Sequence, residues 1–492
     1  MDTSQEPPPD TAELQSRANT YIETPLETKP APELDPEPSD VGTSEGAVES
    51  MGPDTRTLHE TREPPSSNAP SEAPAIEPNK LAQEGRSQNL PSTEDLQSIA
   101  ARLIVFGFTG KGPTLNKHAK NMIARGAGGV ILFSRNFADP PQVAELAANL
   151  KREAGSRPLL VMVDQEGGRV QRLGPPFTVV PPARTIGAAG DPSTAEAAGR
   201  VLGKELRAVN VDMDLAPVMD VDTNPLNPVI GSRSFGTSPE VVSEMGYAVI
   251  RGLQQEGVAA CAKHFPGHGD TEQDSHLSLP HVHHDRERLE RVELPPFAAA
   301  ISADVASILV AHVAVPALAA APSEAALPAS LSRGALHYLR HTLHFDGVIA
   351  TDCLEMGAIA QSYGIAEAAA AGLAAGCDMF LVCHTEEKQV AAIEGIAAAV
   401  EAGHVPLKRL REAQWRIGQL ASTYCRPAPS LSDPVETAYR EALVGSVGSR
   451  AHKEAIAEIV KQAQERTQGE GGRTESGDDI APEDDLVKQS GT

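Results

Sequence analysis

Between residues 101 and 425 short apolar runs recur along the chain, separated by longer amphipathic or alanine-rich stretches, as strands joined by crossover helices do. The runs are 103–108, 129–133, 159–163, 211–216, 258–262, 307–311, 347–350 and 378–382. Most are apolar at successive positions, not alternate ones, which predicts parallel strands covered on both faces by helices. Residues 366–375 are mostly alanine and stop at Gly376, a residue suited to a left-handed helix cap. Residues 407–420 are amphipathic and read as a closing helix packed on the strands, with Trp415 part of that helix and not a sugar platform. Eight strand and helix units predict an α/β fold, a (β/α)8 TIM barrel. Loop insertions at 175–192 and 222–238 account for a length beyond the usual ~250 residues.

The pattern ends abruptly on both sides. Residues 1–100 hold twenty Asp and Glu against six Lys and Arg, with fifteen prolines, too little apolar surface to offset chain entropy. Residues 451–492 hold ten acids against five bases. The reading is therefore a disordered, acidic, proline-rich segment at 1–95, a barrel at 96–425, and a polar, partly helical or disordered tail at 426–492 with room for one or two helices in 434–464. These acidic tails account for most of the formal charge of −25 and leave the barrel mildly acidic. No basic stripe with interleaved aromatics is present, so no nucleic acid partner is expected. The N-terminus lacks a positive, apolar leader and no run is long enough to cross a bilayer, so a cytoplasmic chain without a transmembrane segment is expected. No partner is assigned to the tails. The five cysteines form no Cys-x-x-Cys pair and read as reduced core residues.

Polar residues cluster just after the apolar runs: Ser134, Arg135 and Asn136 after the second, Asp164 after the third, Asp220 and Asp222 after the fourth. Lys263 and His264 follow the fifth, His312 the sixth and Asp352 the seventh. In a parallel barrel these ends share the catalytic face. Asp352 fits an N-cap as well as a nucleophile or general base, and its company on that face favours chemistry. Glu355 is expected at the surface. The loop from Lys263 to His276 carries three histidines and three carboxylates around Pro266, Gly267 and Gly269, with glycines that permit unusual backbone angles and motion. Asp274 beside His276 would orient the ring and raise its pKa, making a proton donor. His264 and His268 are four apart, a zinc-ligand spacing on a helix, but Pro266 and the glycines oppose a helix there and no Glu follows His264. His281, His283 and His284 read as exposed loop histidines. Asp164 to Arg172 joins charge with two glycines that let a backbone approach a ligand, and on this segment alone reads equally as a salt-bridged turn; Arg233, in a loop rich in Pro and Asn, reads by itself as a surface arginine. No dinucleotide-binding glycine spacing occurs, and neither a cofactor nor a metal is expected. A metal-dependent barrel hydrolase and a non-catalytic sugar-binding barrel are the rival readings.

The motifs Val163-Asp164-Gln165-Glu166-Gly167-Gly168-Arg169-Val170-Gln171-Arg172, Gly231-Ser232-Arg233-Ser234-Phe235, Lys263-His264-Phe265-Pro266-Gly267-His268-Gly269 through Asp274-Ser275-His276, and Thr351-Asp352 occur in this order. Together they resemble glycoside hydrolase family 3, in its β-N-acetylglucosaminidase branch, over about residues 100–425. The resemblance implies a TIM barrel that removes a non-reducing β-linked N-acetylglucosamine with retention, from a small carbohydrate or muropeptide of peptidoglycan turnover. It implies Asp352 as nucleophile, His276 as acid/base with Asp274 as its partner, and Asp164, Arg172, Arg233, Lys263 and His264 as sugar ligands. A histidine acid repels anions less than a carboxylate, which suits substrates or acceptors bearing a lactyl group or phosphate. The acidic segment 1–95 and the short tail after residue 425 depart from the family pattern.

Overall fold

The computed structural model describes residues 90–275, 278–427, 443 and 445–471. The chain enters the fold through helix α1 (Thr93–Ala101), which Ser92 caps by accepting the Asp95 amide N–H. This helix starts inside the segment expected to be disordered; the rest of that segment, residues 1–89, lies outside the described residues. Eight strands follow: β1 (Ile104–Phe106), β2 (Gly129–Leu132), β3 (Leu160–Val163), β4 (Met213–Asp214), β5 (Ala259–Phe265), β6 (Ser307–Val310), β7 (Val348–Thr351) and β8 (Phe380–Val382). Each overlaps one of the eight apolar runs.

All neighbouring strands pair in parallel, in the order β8-β1-β2-β3-β4-β5-β6-β7. The seam closes where Ala350 bridges Met379 and the Thr351 amide donates to the Met379 carbonyl at 2.9 Å. The result is a closed (β/α)8 barrel, whose strands have no free edge to cover. Two of the departures from the expected runs bear on the site. β4 is shorter, because Pro217 has no amide to donate, although Ala216 and Pro217 still accept from the amides of Cys261 and Lys263 at 2.9 and 3.1 Å. β5 runs on to Phe265, so Lys263 and His264 stand on the strand itself.

Helices cover the barrel: α2 (Lys117–Arg125), α3 (Pro140–Glu153), α4 (Ala183–Ala189), α5 (Pro192–Ala208), α6 (Pro239–Gln255), α7 (Arg286–Arg291), α8 (Pro295–Ser302), α9 (Arg333–His337), α10 (Gly357–Ala360), α11 (Ile365–Ala375), α12 (Glu386–Glu401) and α13 (Leu407–Tyr424). The alanine-rich stretch forms α11, and Gly376 ends it with a φ of 135°. Helix α13 packs through Leu410, Ala413, Ile417, Leu420 and Ala421 and leaves Trp415 62% exposed. The expected loop at 175–192 contains α4. A last helix, α14 (Arg450–Gly471), lies against α4 with Ile456, Ile459 and Ala463 buried, and its His452 Nδ1 is 2.8 Å from the buried Glu205. Among the described residues no helix is long and apolar enough to cross a membrane.

The two ends of the barrel differ in kind. At the amino ends of the strands, buried Asp212 pairs with Lys151 at 2.6 Å and Arg207 at 3.5 Å. Buried Asp378 gathers Arg340 at 2.8 Å, Arg416 at 3.5 Å and Arg409. These clusters fasten strands to surrounding helices. The charged groups at the carboxyl ends border an open cavity instead.

Candidate active site

Lys263 rises from β5 into the middle of the carboxyl face. Its Nζ is 2.7 Å from Asp164 Oδ1, just past β3, and 2.6 Å from Glu166 Oε1 on the short hairpin that follows. Arg233, in the tight turn Gly231–Arg233, grips the same Glu166 as a fork, with Nε to Oε2 at 2.9 Å and Nη2 to Oε1 at 2.7 Å. Burial alone would raise the Glu166 carboxyl, but Lys263 and Arg233 draw it far below the usual carboxylate range. Burial would likewise lower Lys263, and Asp164 and Glu166 outweigh it and hold the ammonium charged. Two half-buried anions, buried Lys263 and half-buried Arg233 thus compensate one another. Glu166→Ala would leave both cations without their shared partner, and we expect a loss of about 3–5 kcal/mol of stability. Urea unfolding measures it, and a loss under about 1 kcal/mol, the size of an ordinary surface pair, would contradict this account.

Asp220, past β4, organises the β5 loop. Its Oδ2 lies 2.7 Å from His264 Nδ1, and its Oδ1 accepts the His268 amide N–H at 2.7 Å. The His264 ring is thereby set with Nε2 3.3 Å from Arg233 Nη2. Burial and the neighbouring His264 push the His268 imidazole down to about 4, so it is neutral at physiological pH. Its ring spans the loop, with Nδ1 2.6 Å from Thr271 Oγ1 and Nε2 3.1 Å from Ser275 Oγ. The loop glycines serve close packing more than looseness. Gly267 has a φ of 123°, and a Cβ on Gly269 would fall 1.8 Å from the Val221 carbonyl oxygen. Asp274 and Ser275 reach the cavity wall, with Asp274 in electrostatic contact with Arg169. His276 lies outside the described residues, as does Leu277.

Asp352 stands one residue beyond β7. Its amide donates to the Val310 carbonyl at 3.0 Å and its Oδ1 accepts the Cys353 amide at 2.7 Å. Burial would raise this carboxyl, but His312, His264, the Cys353 N–H and Lys263 together bring it below the ordinary value. It is therefore an anion at neutral pH. His312, at the end of β6, bonds Ser330 Oγ through Nδ1 at 2.7 Å and the Cys353 carbonyl through Nε2 at 3.1 Å. Glu355, expected at the surface, is drawn in. Its side chain is 5% exposed, and it accepts the amides of His384 and Thr385 at 2.6 and 3.3 Å, just before α12, with Lys388 at 3.6 Å.

Asp164, Arg172, Arg233, Lys263, His264, Asp274 and Asp352 all line one cavity of about 430 Å³. Arg172 Nε is buried there without a hydrogen-bond partner. Sequence reasoning left Glu166 and His268, which share this wall, without roles; the signal for Glu166 was its place between Asp164 and the glycine pair. Of the expected loop histidines, His281 and His283 are exposed with stacked rings, while His284 pairs with Asp270. Trp415 is not among the residues of this cavity. Among the described residues no group of three or more His, Cys, Asp or Glu is arranged to hold a metal ion.

A charged cavity at the carboxyl ends of a closed parallel barrel puts the protein among the barrel enzymes. The family follows from comparison with known proteins. The model of the glycosyl hydrolase family 3 N terminal domain matches residues 94–420. The β-hexosaminidase of Thiobacillus denitrificans is 43% identical over 267 residues, 53% of this chain and 72% of that one. That of Methylococcus capsulatus is 40% identical over 290 residues, 58% and 84% of the two chains. Among solved structures, a glycoside hydrolase family 3 β-N-acetylglucosaminidase from Paenibacillus sp. str. FPU-7 superposes with a TM-score of 0.68 at 40% identity, over 75% of this chain and 68% of that one. The chain belongs to glycosyl hydrolase family 3 and is a glycoside hydrolase.

Proposed function

We propose that this chain is a retaining β-N-acetylhexosaminidase that releases non-reducing terminal N-acetylglucosamine, with peptidoglycan fragments as the natural source. The observation that carries the reading is the meeting of Asp352 with Asp164, Arg172, Arg233, Lys263 and His264 around a single cavity. The ionised Asp352 attacks the anomeric carbon from the face opposite the leaving group and forms a glycosyl-enzyme bond. His276, oriented by Asp274, protonates the departing oxygen and then takes a proton from the water that releases the sugar. Asp164 and His264 offer acceptors to sugar hydroxyls, while Lys263, Arg233 and the unpartnered Nε of Arg172 offer donors. Arg169 and Arg172 on the same wall supply positive charge for a fragment carrying a lactyl carboxylate.

A panel of aryl β-glycosides, with phosphate present and absent, tests the reading. The β-N-acetylglucosaminide should be cleaved with kcat/KM at least about a hundredfold above the β-glucoside, within the ~10⁴–10⁵-fold discrimination reached by a site that hydrogen-bonds a group the poorer substrate lacks. Phosphate should leave the rate unchanged and yield free sugar. Equal use of the two glycosides would remove the hexosaminidase assignment, and accumulation of a sugar phosphate would replace hydrolysis by phosphorolysis.

A further inference from the structure

The stretch from Asp164 to Arg172 carries residues of two kinds. Asp164, Glu166, Arg169 and Arg172 line the cavity, while Gln165 and Gln171, paired across the hairpin, do not. The glutamines hold backbone instead. Gln165, 2% exposed, donates from Nε2 to the Leu173 carbonyl and accepts the Leu173 amide at Oε1, both at 3.0 Å. Its own amide donates to Oδ1 of Asp214, on β4, at 2.9 Å. Gln171 accepts the Val180 amide at Oε1 and donates from Nε2 to the Thr178 carbonyl, each at 3.1 Å.

We propose that Asp214 and Gln165 are a positioning pair for the sugar site, in which Asp214 serves as an uncharged acceptor for the Gln165 amide. Successive side chains of an extended chain point to opposite sides, so a Gln165 turned into the protein leaves Asp164 and Glu166 both turned to the cavity. The amide between them, held from β4, fixes the backbone from which those carboxylates reach Lys263 Nζ, at 2.7 and 2.6 Å. Arg172 belongs to the same arrangement. Its amide donates to the Asp164 carbonyl at 3.3 Å, and the next residue, Leu173, is the one that Gln165 grips. With no hydrogen-bond partner for its Nε, Arg172 depends on that backbone for its place.

Asp214 differs from the buried carboxyls on either side of it in sequence. Asp212 has Lys151 at 2.6 Å and Asp220 has His264 at 2.7 Å. Asp214, fully buried, has the Gln165 amide on Oδ1 and no hydrogen-bond partner on Oδ2. A carboxylate with a bare oxygen is far costlier to bury than the corresponding acid, so such a group keeps its proton. Burial accordingly lifts this carboxyl to about 8, against the pull of the Gln165 amide and Lys263. An apolar residue here would bury as readily, but it would leave the Gln165 amide without its acceptor. The role in turnover rests on the reading of Asp164 and Arg172 as sugar ligands given above; the hydrogen bonds themselves do not.

The test uses the full chain and measures KM for an aryl β-N-acetylglucosaminide, the Kd of N-acetylglucosamine by calorimetry, and Tm. Gln165→Met and Asp214→Ala should raise KM and Kd about tenfold or more, in line with the cost of small displacements in a site. Asp214→Asn, whose side-chain carbonyl can accept the same amide, should recover most of that loss. A merely structural role would lower Tm and leave the KM and Kd of the folded enzyme unchanged, and that result overturns the pair. Should Asp214→Ala not fold, Gln165→Met decides. Asp214→Asn as damaging as Gln165→Met overturns the uncharged acceptor. Asp164→Ala and Arg172→Ala test the underlying reading separately. If both leave KM and Kd unchanged, that reading falls and the pair's role with it; if they raise them and Gln165→Met does not, only the pair falls.

Discussion

Asp352→Ala is expected to lower kcat on an aryl β-N-acetylglucosaminide by about 10⁴-fold or more, as loss of a nucleophile does in other covalent mechanisms. The fold should survive. The side chain accepts the Cys353 amide at 2.7 Å, a bond whose loss costs about 1–3 kcal/mol when its acceptor is removed. Small anions separate a nucleophile from a mere ligand of the sugar. Azide entering the space vacated by the carboxylate should restore turnover of an activated substrate and give the α-glycosyl azide, inverted at the anomeric carbon. A sugar-binding aspartate would show no such product. Near-wild-type activity of the alanine variant would sink the assignment outright. The ionised state assigned to Asp352 bears on the same result, since a protonated carboxyl could not attack. Its anion persists in a buried place because His312, His264 and Lys263 surround it, so replacing any of these should raise the carboxyl's pKa, and replacing His264 or Lys263 should weaken sugar binding as well.

The barrel was legible because its strands are buried on both faces. Such strands write themselves as uninterrupted apolar runs, and the seam between β7 and β8 needed no further signal once eight runs were counted. Boundaries were legible only where local chemistry set them. The lengthening of β5 through Lys263 and His264 was not, because those side chains are tolerated on a strand only through partners distant in sequence: Asp164 and Glu166 for the lysine, Asp220 for the histidine. Glu166 is the sharpest case. A carboxylate beside two glycines reads as a turn residue until Lys263 and Arg233 are known to converge on it. Helix α4 was hidden for a related reason. Seven residues containing a glycine make a poor helix alone, and this one is covered by α14 from far along the chain. Glu355 was misplaced because the amides it accepts precede α12, on a neighbouring segment of the barrel rim.

His276→Ala should separate substrates by their leaving groups. In the first half-reaction the acid helps most when the departing oxygen is basic, so kcat/KM, which reports that half-reaction, should fall about 10²–10⁴-fold for an alkyl or saccharide leaving group. For a nitrophenol, which departs without a proton, kcat/KM should fall far less. On the proposed mechanism the second half-reaction treats all substrates alike, because the same imidazole would then activate water to open the same glycosyl-enzyme. The variant should therefore release a burst of nitrophenol equal to the enzyme concentration and turn over slowly afterwards. Asp274→Asn should show the same pattern, weaker, if its carboxylate acts through the ring, since the amide can still orient the imidazole but cannot stabilise its charge. Equal losses of kcat/KM across leaving groups would assign His276 to binding and leave the proton donor to be sought among the other groups of the cavity. Glu355 is a weak substitute, engaged as it is with two amides and Lys388.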